Sequence, residues 1–176
     1  MANAHHEHAQ TRHSLLKTRT KAFCAAFLDL PSNPPQKLLQ EHFTPTQPCI
    51  TEHGPSWASS CLPFLGRTFT GVNECLQYFD LLSKTLEFIP SPDTFGDEGS
   101  IVVDENARPG DGDAGAGGLA SVKGKAKFKA IATGKEWEEE FVYRLSGFDE
   151  DGKIGHWEVW ADPLSAWVAV GGEEEK

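Results

Sequence analysis

The chain has 176 residues, 39% of them hydrophobic and 24% charged, and this length and composition predict one globular domain with a single core. Its formal net charge of −10 predicts repulsion from nucleic acid and from an anionic membrane surface, so we expect neither as a partner. A small apolar or aromatic molecule remains open as a ligand.

The cysteines and the apolar runs indicate the cellular compartment. No C-x-x-C pair occurs, and no apolar run is long enough for a membrane span or a secretory signal. We therefore expect reduced thiols and a cytoplasmic protein. The four cysteines are Cys24, Cys49, Cys61 and Cys75.

Polar ends flank the predicted domain. Residues 1–13 contain four histidines and are expected to form a disordered tail, although such a cluster could also capture a metal ion. Residues 14–170 are assigned to the single domain, and residues 171–176 to an acidic tail.

Two helices are predicted at the start of the domain. Apolar residues recur at helical spacing after Ser14 until Pro31 stops the run. In the following "SNPPQKLLQEHF", Asn33 is the candidate N-cap and Pro34 suits the first helical position, with an end near Phe43.

A third helix is predicted to open at Thr70, after a short strand in "CITEHGP". Its buried stripe is expected to contain Val72, Leu76, Phe79, Leu82 and Leu86. The pattern then changes to that of strands, and helices followed by strands indicate an α+β fold. The predicted strands cover residues 86–90, 100–104, 119–132, 136–146 and 153–161.

Alternation in the two longest strands predicts a charged outer face. In "ASVKGKAKFKAIA" the four lysines share one face, and in "EWEEEFVYRL" Glu138 and Glu140 share one with Arg144. Pairing of these faces would give an exposed ladder of ion pairs worth tenths of a kcal/mol each.

The same alternation places Glu139 on the face of Trp137, Phe141 and Tyr143, which is the apolar one. A carboxyl group there has a raised pKa or a partner. Alternatively, Glu139 lies in a frayed start of the strand and does not point toward the interior.

Two acidic or glycine-rich stretches are interpreted as loops. Gly110, Gly112 and Gly115 match G-x-G-x-x-G, but a strand follows them where a dinucleotide site needs a helix, so a mobile hairpin loop is expected. Asp149 and Asp151 in "GFDEDGKI" favour a tight turn over a calcium loop.

Two polar clusters are candidates for chemistry. In "GKIGHWEVWADPLSAW", His156 and Glu158 enter the pocket only if a bulge reverses the strand, and otherwise lie outside beside the charge ladder; the sequence does not choose. In "CITEHGPSWASS", His53 could relay a proton near neutral pH or be an exposed loop residue.

The order of elements resembles that of the nuclear-transport-factor-2-like (NTF2-like) superfamily, most closely its SnoaL-like polyketide cyclases, over roughly residues 14–168. The resemblance is carried by Gly71 in "GRTFTG" and by "DGKIGHWEVWADPLSAW", which ends in Asp162 and an aromatic run. It implies a cone in which the N-terminal helices pack on a strongly bent, antiparallel or mixed sheet around a pocket.

The resemblance also implies a function. Asp162 stands where relatives often carry an acid, although it could instead cap a turn or helix before Pro163. We expect a cofactor-independent isomerase, cyclase or dehydratase of a small polyketide- or terpenoid-like molecule, with no metal, as a homodimer through the sheet. The alternative is a non-catalytic binding or dimerisation module. The candidate catalytic residues are Asp162, His53, Glu139, His156 and Glu158, and the candidate lining residues are Trp57, Phe27, Phe79, Tyr143 and Trp137.

Overall fold

A computed structural model of the chain describes residues 11–108 and 116–172. Three predictions lie largely or wholly outside these ranges: the N-terminal tail, the acidic C-terminal tail and the glycine motif at residues 110–115. Within the described ranges, no helix is long and apolar enough to cross a membrane.

Four helices and seven strands make up the described part of the chain. The helices are α1 (Arg12–Leu28), α2 (Pro35–His42), α3 (Val72–Thr85) and α4 (Pro163–Ala169). The strands are β1 (Cys49–His53), β2 (Arg67–Thr70), β3 (Leu86–Ile89), β4 (Ile101–Asp104), β5 (Leu119–Ala130), β6 (Glu136–Ser146) and β7 (His156–Trp160). The α+β prediction is confirmed, with β2 and α4 as additions.

The first two helices begin at different residues from those predicted. Thr11, and not Ser14, caps α1, because its hydroxyl accepts a hydrogen bond from the Ser14 amide at 3.2 Å. Pro34 takes the cap position of α2, and the amide of Asn33 instead donates to the Asp29 carbonyl at 3.1 Å. Both differences arise because local hydrogen bonds decide helix ends within a residue or two.

The third helix also begins later than predicted. Residues up to Thr70 are extended and pair with β1, and Gly71 at φ +83° then turns the chain into α3. Val72, predicted to be buried, is therefore exposed at the first helical position. The buried face of α3 is formed by Cys75, Tyr78 and Phe79.

The strands form one curled mixed sheet in the order β2-β1-β7-β6-β5-β3, and β4 pairs with the other half of the same β5 edge. Neighbours are antiparallel except β1 and β7, which run parallel with Ile50 opposite Trp157. The sheet therefore brings an early strand beside the last one.

The predicted charge ladder is confirmed on the outer face of β5 and β6. Lys125 meets Glu138 at 2.7 Å and Lys123 meets Glu140 at 2.8 Å, with all four side chains more than half exposed. Such exposed pairs contribute little to stability. Their main effect is to keep this face in water.

Trp157 is the centre of the core on the inner face. Its side chain is completely buried, and its ring lies 4.9 Å from that of Tyr143 and 5.3 Å from that of Phe23, in both cases edge-on. Tyr78 and Phe79 of α3 contact it from the other side. One indole thus joins α1, α3 and the middle of the sheet.

We predict that Trp157→Ala lowers the free energy of unfolding by about 3–5 kcal/mol, because it removes a fully buried ring and leaves a cavity. Urea unfolding followed by circular dichroism measures the change. Lys125→Ala is the control, and it should change stability by less than about 0.5 kcal/mol because its ion pair is exposed. A loss below about 1 kcal/mol in Trp157→Ala would contradict a core centred on this residue.

Candidate active site

A small, partly open cavity of about 60 Å³ lies between the sheet, α3 and the start of α4. Its walls are mainly aromatic and aliphatic, and none of the described residues that line it is a lysine or arginine. The aromatic residues that line it are Phe27, His53, Phe64, Tyr78, Phe88, Phe128, Phe141 and Tyr143. Three acids also line it, Glu52, Glu139 and, at its edge, Asp162.

Glu52 is held inside by the alternation of β1, in which Ile50 and Glu52 face the core. Tyr78 donates a hydrogen bond from its hydroxyl to Oε2 of Glu52 at 2.7 Å. Burial nevertheless dominates and raises the pKa of Glu52 to about 8, with a smaller upward contribution from the charge of Glu139. Glu52 is therefore mostly protonated at neutral pH.

Glu139 enters the cavity from β6, as the alternation of that strand predicts. Burial raises its pKa to about 7, against the opposing hydrogen bond that Trp137 donates from Nε1 to Oε2 at 2.8 Å. The negative charge of Asp162 raises this pKa further, while the Asp162 backbone amide lowers it. Glu139 is thus close to half ionised at neutral pH.

Two tyrosines accompany the acids. Burial raises the pKa of Tyr78 and of Tyr143 well above the ordinary value, and the charge of Glu52 raises both further. The charge of Glu139 acts on Tyr143 as well, and Tyr143 lines the same cavity as both acids. Tyr143 can therefore donate a hydrogen bond to a molecule that lies between the two acids.

Asp162 lies at the edge of the same cavity but performs the capping role that the sequence left open. Its carboxylate accepts hydrogen bonds from the Ser165 hydroxyl at 2.6 Å and from the amides of Leu164 and Ser165, which begin α4. The Ser165 hydroxyl is the main reason that the pKa of Asp162 is lowered. Asp162 stays ionised and acts on Glu139 through its charge.

The other predicted catalytic residues lie on the outer face of the sheet. Trp157 faces inward, so no bulge reverses β7, and Glu158 accepts hydrogen bonds from Arg144 and interacts with His53 Nε2 at 3.1 Å. The ring of His53 stacks on that of Trp160 at 3.9 Å. His156 Nε2 lies 2.8 Å from the Thr51 hydroxyl. The side chains of His53 and Asp162 are thus engaged with different partners.

The predicted lining residues divide into two groups. Phe27 and Tyr143 line the cavity. Trp137 acts on the cavity only through the hydrogen bond that it donates to Glu139, and Phe79 lines a separate groove described below. Trp57 lies on a 3-10 turn, Ser56–Ser60, where it is 60% exposed and packs edge-on against Trp167.

Glu52 and Tyr78 are the site residues that the sequence did not single out. Glu52 shares the parity of Ile50 in "CITEH", and this alternation is a usable signal of an inward acid. No comparable signal marks Tyr78, because its importance depends on a partner 26 positions earlier in the chain. Within the described ranges, no three His, Cys, Asp or Glu side chains are grouped to hold a metal ion.

No protein-family model matches the chain. No curated protein sequence matches it either. Solved structures do match, and they identify the fold as NTF2-like.

Three solved structures illustrate the likeness. An NTF2-like protein of unknown function from Burkholderia pseudomallei is 15% identical, with a TM-score of 0.57 and coverage of 87% of this chain and 98% of its own. A candidate SnoaL-like polyketide cyclase from Jannaschia is 13% identical, with a TM-score of 0.55 and coverage of 90% and 96%. TerC, crystallised with polyporic acid, is 14% identical, with a TM-score of 0.51 and coverage of 86% and 97%.

Glu52 should make stability depend on pH. Between its unfolded pKa of 4.5 and its folded pKa of about 8, only the folded chain keeps the proton, so the folded state binds more protons. The free energy of unfolding should therefore fall as pH rises through this window, by a few kcal/mol from this group. Urea unfolding at several pH values between 4.5 and 8 measures the slope.

Glu52→Gln should reduce this slope and leave the smaller part that Glu139 contributes below about pH 7, because an amide does not ionise and can still accept the bond from Tyr78. Glu138→Gln, on the exposed ladder, serves as the matched control and should keep the wild-type slope. Equal slopes in the wild type and Glu52→Gln would show that Glu52 is not buried as a protonated acid.

Proposed function

We propose that this protein is a cofactor-independent enzyme that moves a proton between two positions of a small neutral molecule next to a carbonyl group. Its reaction would be an isomerisation, cyclisation or dehydration of a polyketide- or terpenoid-like compound. The observation that carries the proposal is the pair of carboxyl groups, Glu52 and Glu139, in one apolar cavity with pKa values raised to about 8 and about 7.

The two acids suit opposite roles near neutral pH. The ionised carboxylate of Glu139 would take a proton from the carbon beside the carbonyl, and electrons from the broken C–H bond would move to the carbonyl oxygen. Protonated Glu52 and the Tyr143 hydroxyl would stabilise that oxygen by hydrogen bonds. Where a carbon–carbon double bond is conjugated with this enolate, the electrons would flow back through it as Glu139 returns the proton to its far carbon, so that the double bond shifts, the atoms balance and no cofactor takes part.

Three further residues would hold this arrangement in place. Tyr78 and Trp137 fix the orientation of the two carboxyl groups through their hydrogen bonds. The ionised Asp162 keeps the pKa of Glu139 near the working pH. In this proposal Asp162 is a positioning residue, and His53, His156 and Glu158 belong to the outer face.

Two of the similar structures support the proposed class of substrate. One is described as a candidate polyketide cyclase and another was crystallised with polyporic acid. Aromatic walls without a lysine or arginine suit the ring systems of such molecules, because they offer apolar contact, but they offer no fixed cation to an ionised group. We therefore favour an uncharged aromatic or alicyclic ketone as substrate.

The outer face supports a proposal about assembly. Trp160 and Val142 are each 40% exposed and lie opposite each other in β7 and β6. We propose that a second copy of the chain covers this apolar pair and forms a homodimer through the sheet.

The enzymatic proposal predicts exchange of carbon-bound protons. In D₂O, the protein should replace the hydrogens beside the carbonyl of 2-tetralone with deuterium, a reaction followed by ¹H NMR. Glu139→Gln should slow the exchange at least about 100-fold, because the base is lost. Glu138→Gln is the matched control on the exposed side of the same strand. No exchange with several neutral ketones would favour the alternative, a non-catalytic binding or dimerisation module.

The pH dependence of the exchange rate tests the roles of Glu139 and Glu52 separately. The rate should rise with pH through about 7, as Glu139 ionises, and fall through about 8, as Glu52 loses its proton. Glu52→Gln should lose the fall at high pH, since its amide still donates a hydrogen bond. A profile in Glu52→Gln with the wild-type alkaline limb would rule out the acid role of Glu52.

The assembly proposal predicts a dimer by size-exclusion chromatography with light scattering. Trp160→Glu should give monomers, because it places a charge at the centre of the covered patch. Val102→Glu, at a position that is 67% exposed on β4, should remain dimeric. A monomeric wild-type protein would contradict the proposal.

A further inference from the structure

Two spaces in the molecule are separated by a single wall. Outside the cavity lies a wider groove of about 690 Å³ between α3, β3 and the connection from α1 to α2. Four residues line both spaces: Phe27, Leu82, Leu86 and Phe88. Phe88 and Leu82 are half-buried, whereas Phe27 is buried in the core. The wall between cavity and groove is therefore one layer of apolar side chains.

Neither the cavity nor the groove could by itself both hold a substrate and react with it. The cavity contains the two acids, but its volume of about 60 Å³ holds only a few water molecules, far below the roughly 300–1,000 Å³ of ligand sites. The groove has the volume of a ligand site but lacks an available acid. Its two carboxylates, Asp80 and Glu87, pair with Lys84 and Lys129.

The side chains that line the groove indicate which kind of ligand it can bind. Leu30, Leu76, Phe79 and Ile131 form apolar walls, and Ile131 is 50% exposed. None of the described residues that line the groove is a lysine or arginine, as in the cavity. An anionic ligand would therefore find no lysine or arginine in the lining of either space, and the two lysines beside the groove are already paired with Asp80 and Glu87.

We propose that the groove binds the apolar body of an elongated, uncharged substrate whose carbonyl end passes between Phe88 and Leu82 into the cavity. The inference rests on the proposed function and extends it by naming the substrate class: a neutral ketone with an apolar ring or chain too large for the cavity. Phe88 must turn away from Phe27, with which its ring is in contact at 5.2 Å, to admit the carbonyl end. The remainder of the molecule then replaces water along α3.

The test compares two ketones that share a reacting end, cyclohexanone and 4-phenylcyclohexanone. Binding is measured by isothermal titration calorimetry in Glu139→Gln, which separates binding from chemistry, and proton exchange is measured in the wild type. We expect 4-phenylcyclohexanone to bind at least about tenfold more tightly, because its phenyl ring is removed from water. Ile131→Lys should lower this advantage about tenfold, because a charge then lies beside the ring.

Val102→Lys is the control, since it adds the same charge at an exposed position away from the groove. It should keep the full advantage of the larger ketone. Leu76→Lys provides a second groove variant on a different wall and should act like Ile131→Lys.

The possible outcomes distinguish this inference from the proposed function. Tighter binding of the larger ketone, lost in both groove variants but without proton exchange in the wild type, supports the groove and overturns the enzymatic proposal. Exchange with equal binding of the two ketones overturns the groove and leaves the enzymatic proposal intact. Binding of neither ketone overturns the groove as well. A change of oligomeric state in Ile131→Lys without an effect on ketone binding identifies the groove as a protein interface and also overturns it.

Discussion

The packing of aromatic rings around Trp157 is the interaction on which the other features depend. Its indole is enclosed by rings from α1, α3 and β6, so the curled sheet closes over the helices at this point. Tyr78 and Tyr143 are part of the same cluster, and each has its hydroxyl on the side of the carboxyl groups. The apolar packing thus positions polar atoms as well, and the precision of the site comes from close packing rather than from polar contacts alone.

Strand alternation places glutamates of one strand in two different environments, the solvent and the cavity. Glu138 and Glu140 point into water and pair with lysines, whereas Glu139 between them is half-buried at the cavity and its pKa is raised to about 7. In β1 the same rule separates Glu52, inside, from His53, outside. Position in the pleat, and not residue type, therefore decides which carboxyl groups hold a proton at neutral pH.

Long strands revealed more of their structure in the sequence than short elements did. In β5 and β6 the alternation continues long enough to predict faces, ion pairs and the inward position of Glu139. In β1, five residues long, the strand was predicted, but so few alternating positions do not show which face is buried, so Glu52 received no role. The short α4 was missed because its start depends on Asp162 as a cap, a role that the sequence left open beside a catalytic one.

Pairing between residues far apart was beyond prediction for a different reason. Nothing in the local pattern shows that β1 lies parallel to β7, or that Tyr78 meets Glu52, because both contacts arise only when the sheet closes. The placement of His53 and Trp160 in a stack on the outer face follows from that same pairing. The resemblance in element order predicted the cone, but individual partners depend on strand register.

The parallel pairing of β1 with β7 also affects the order of events during synthesis. Strand β7 separates β1 from β6 in the sheet, yet it is the last strand of the described chain to leave the ribosome. Until then β1 has only β2 beside it, and Glu52 lacks the strands β7 and β6 that complete its burial, so its carboxyl group would remain an ordinary ionised acid. Closure of the sheet over such a long separation in sequence is intrinsically slow. The nascent chain would thus keep Glu52 ionised until β7 joins the sheet. Proton uptake by Glu52 would then mark the moment at which the fold is completed.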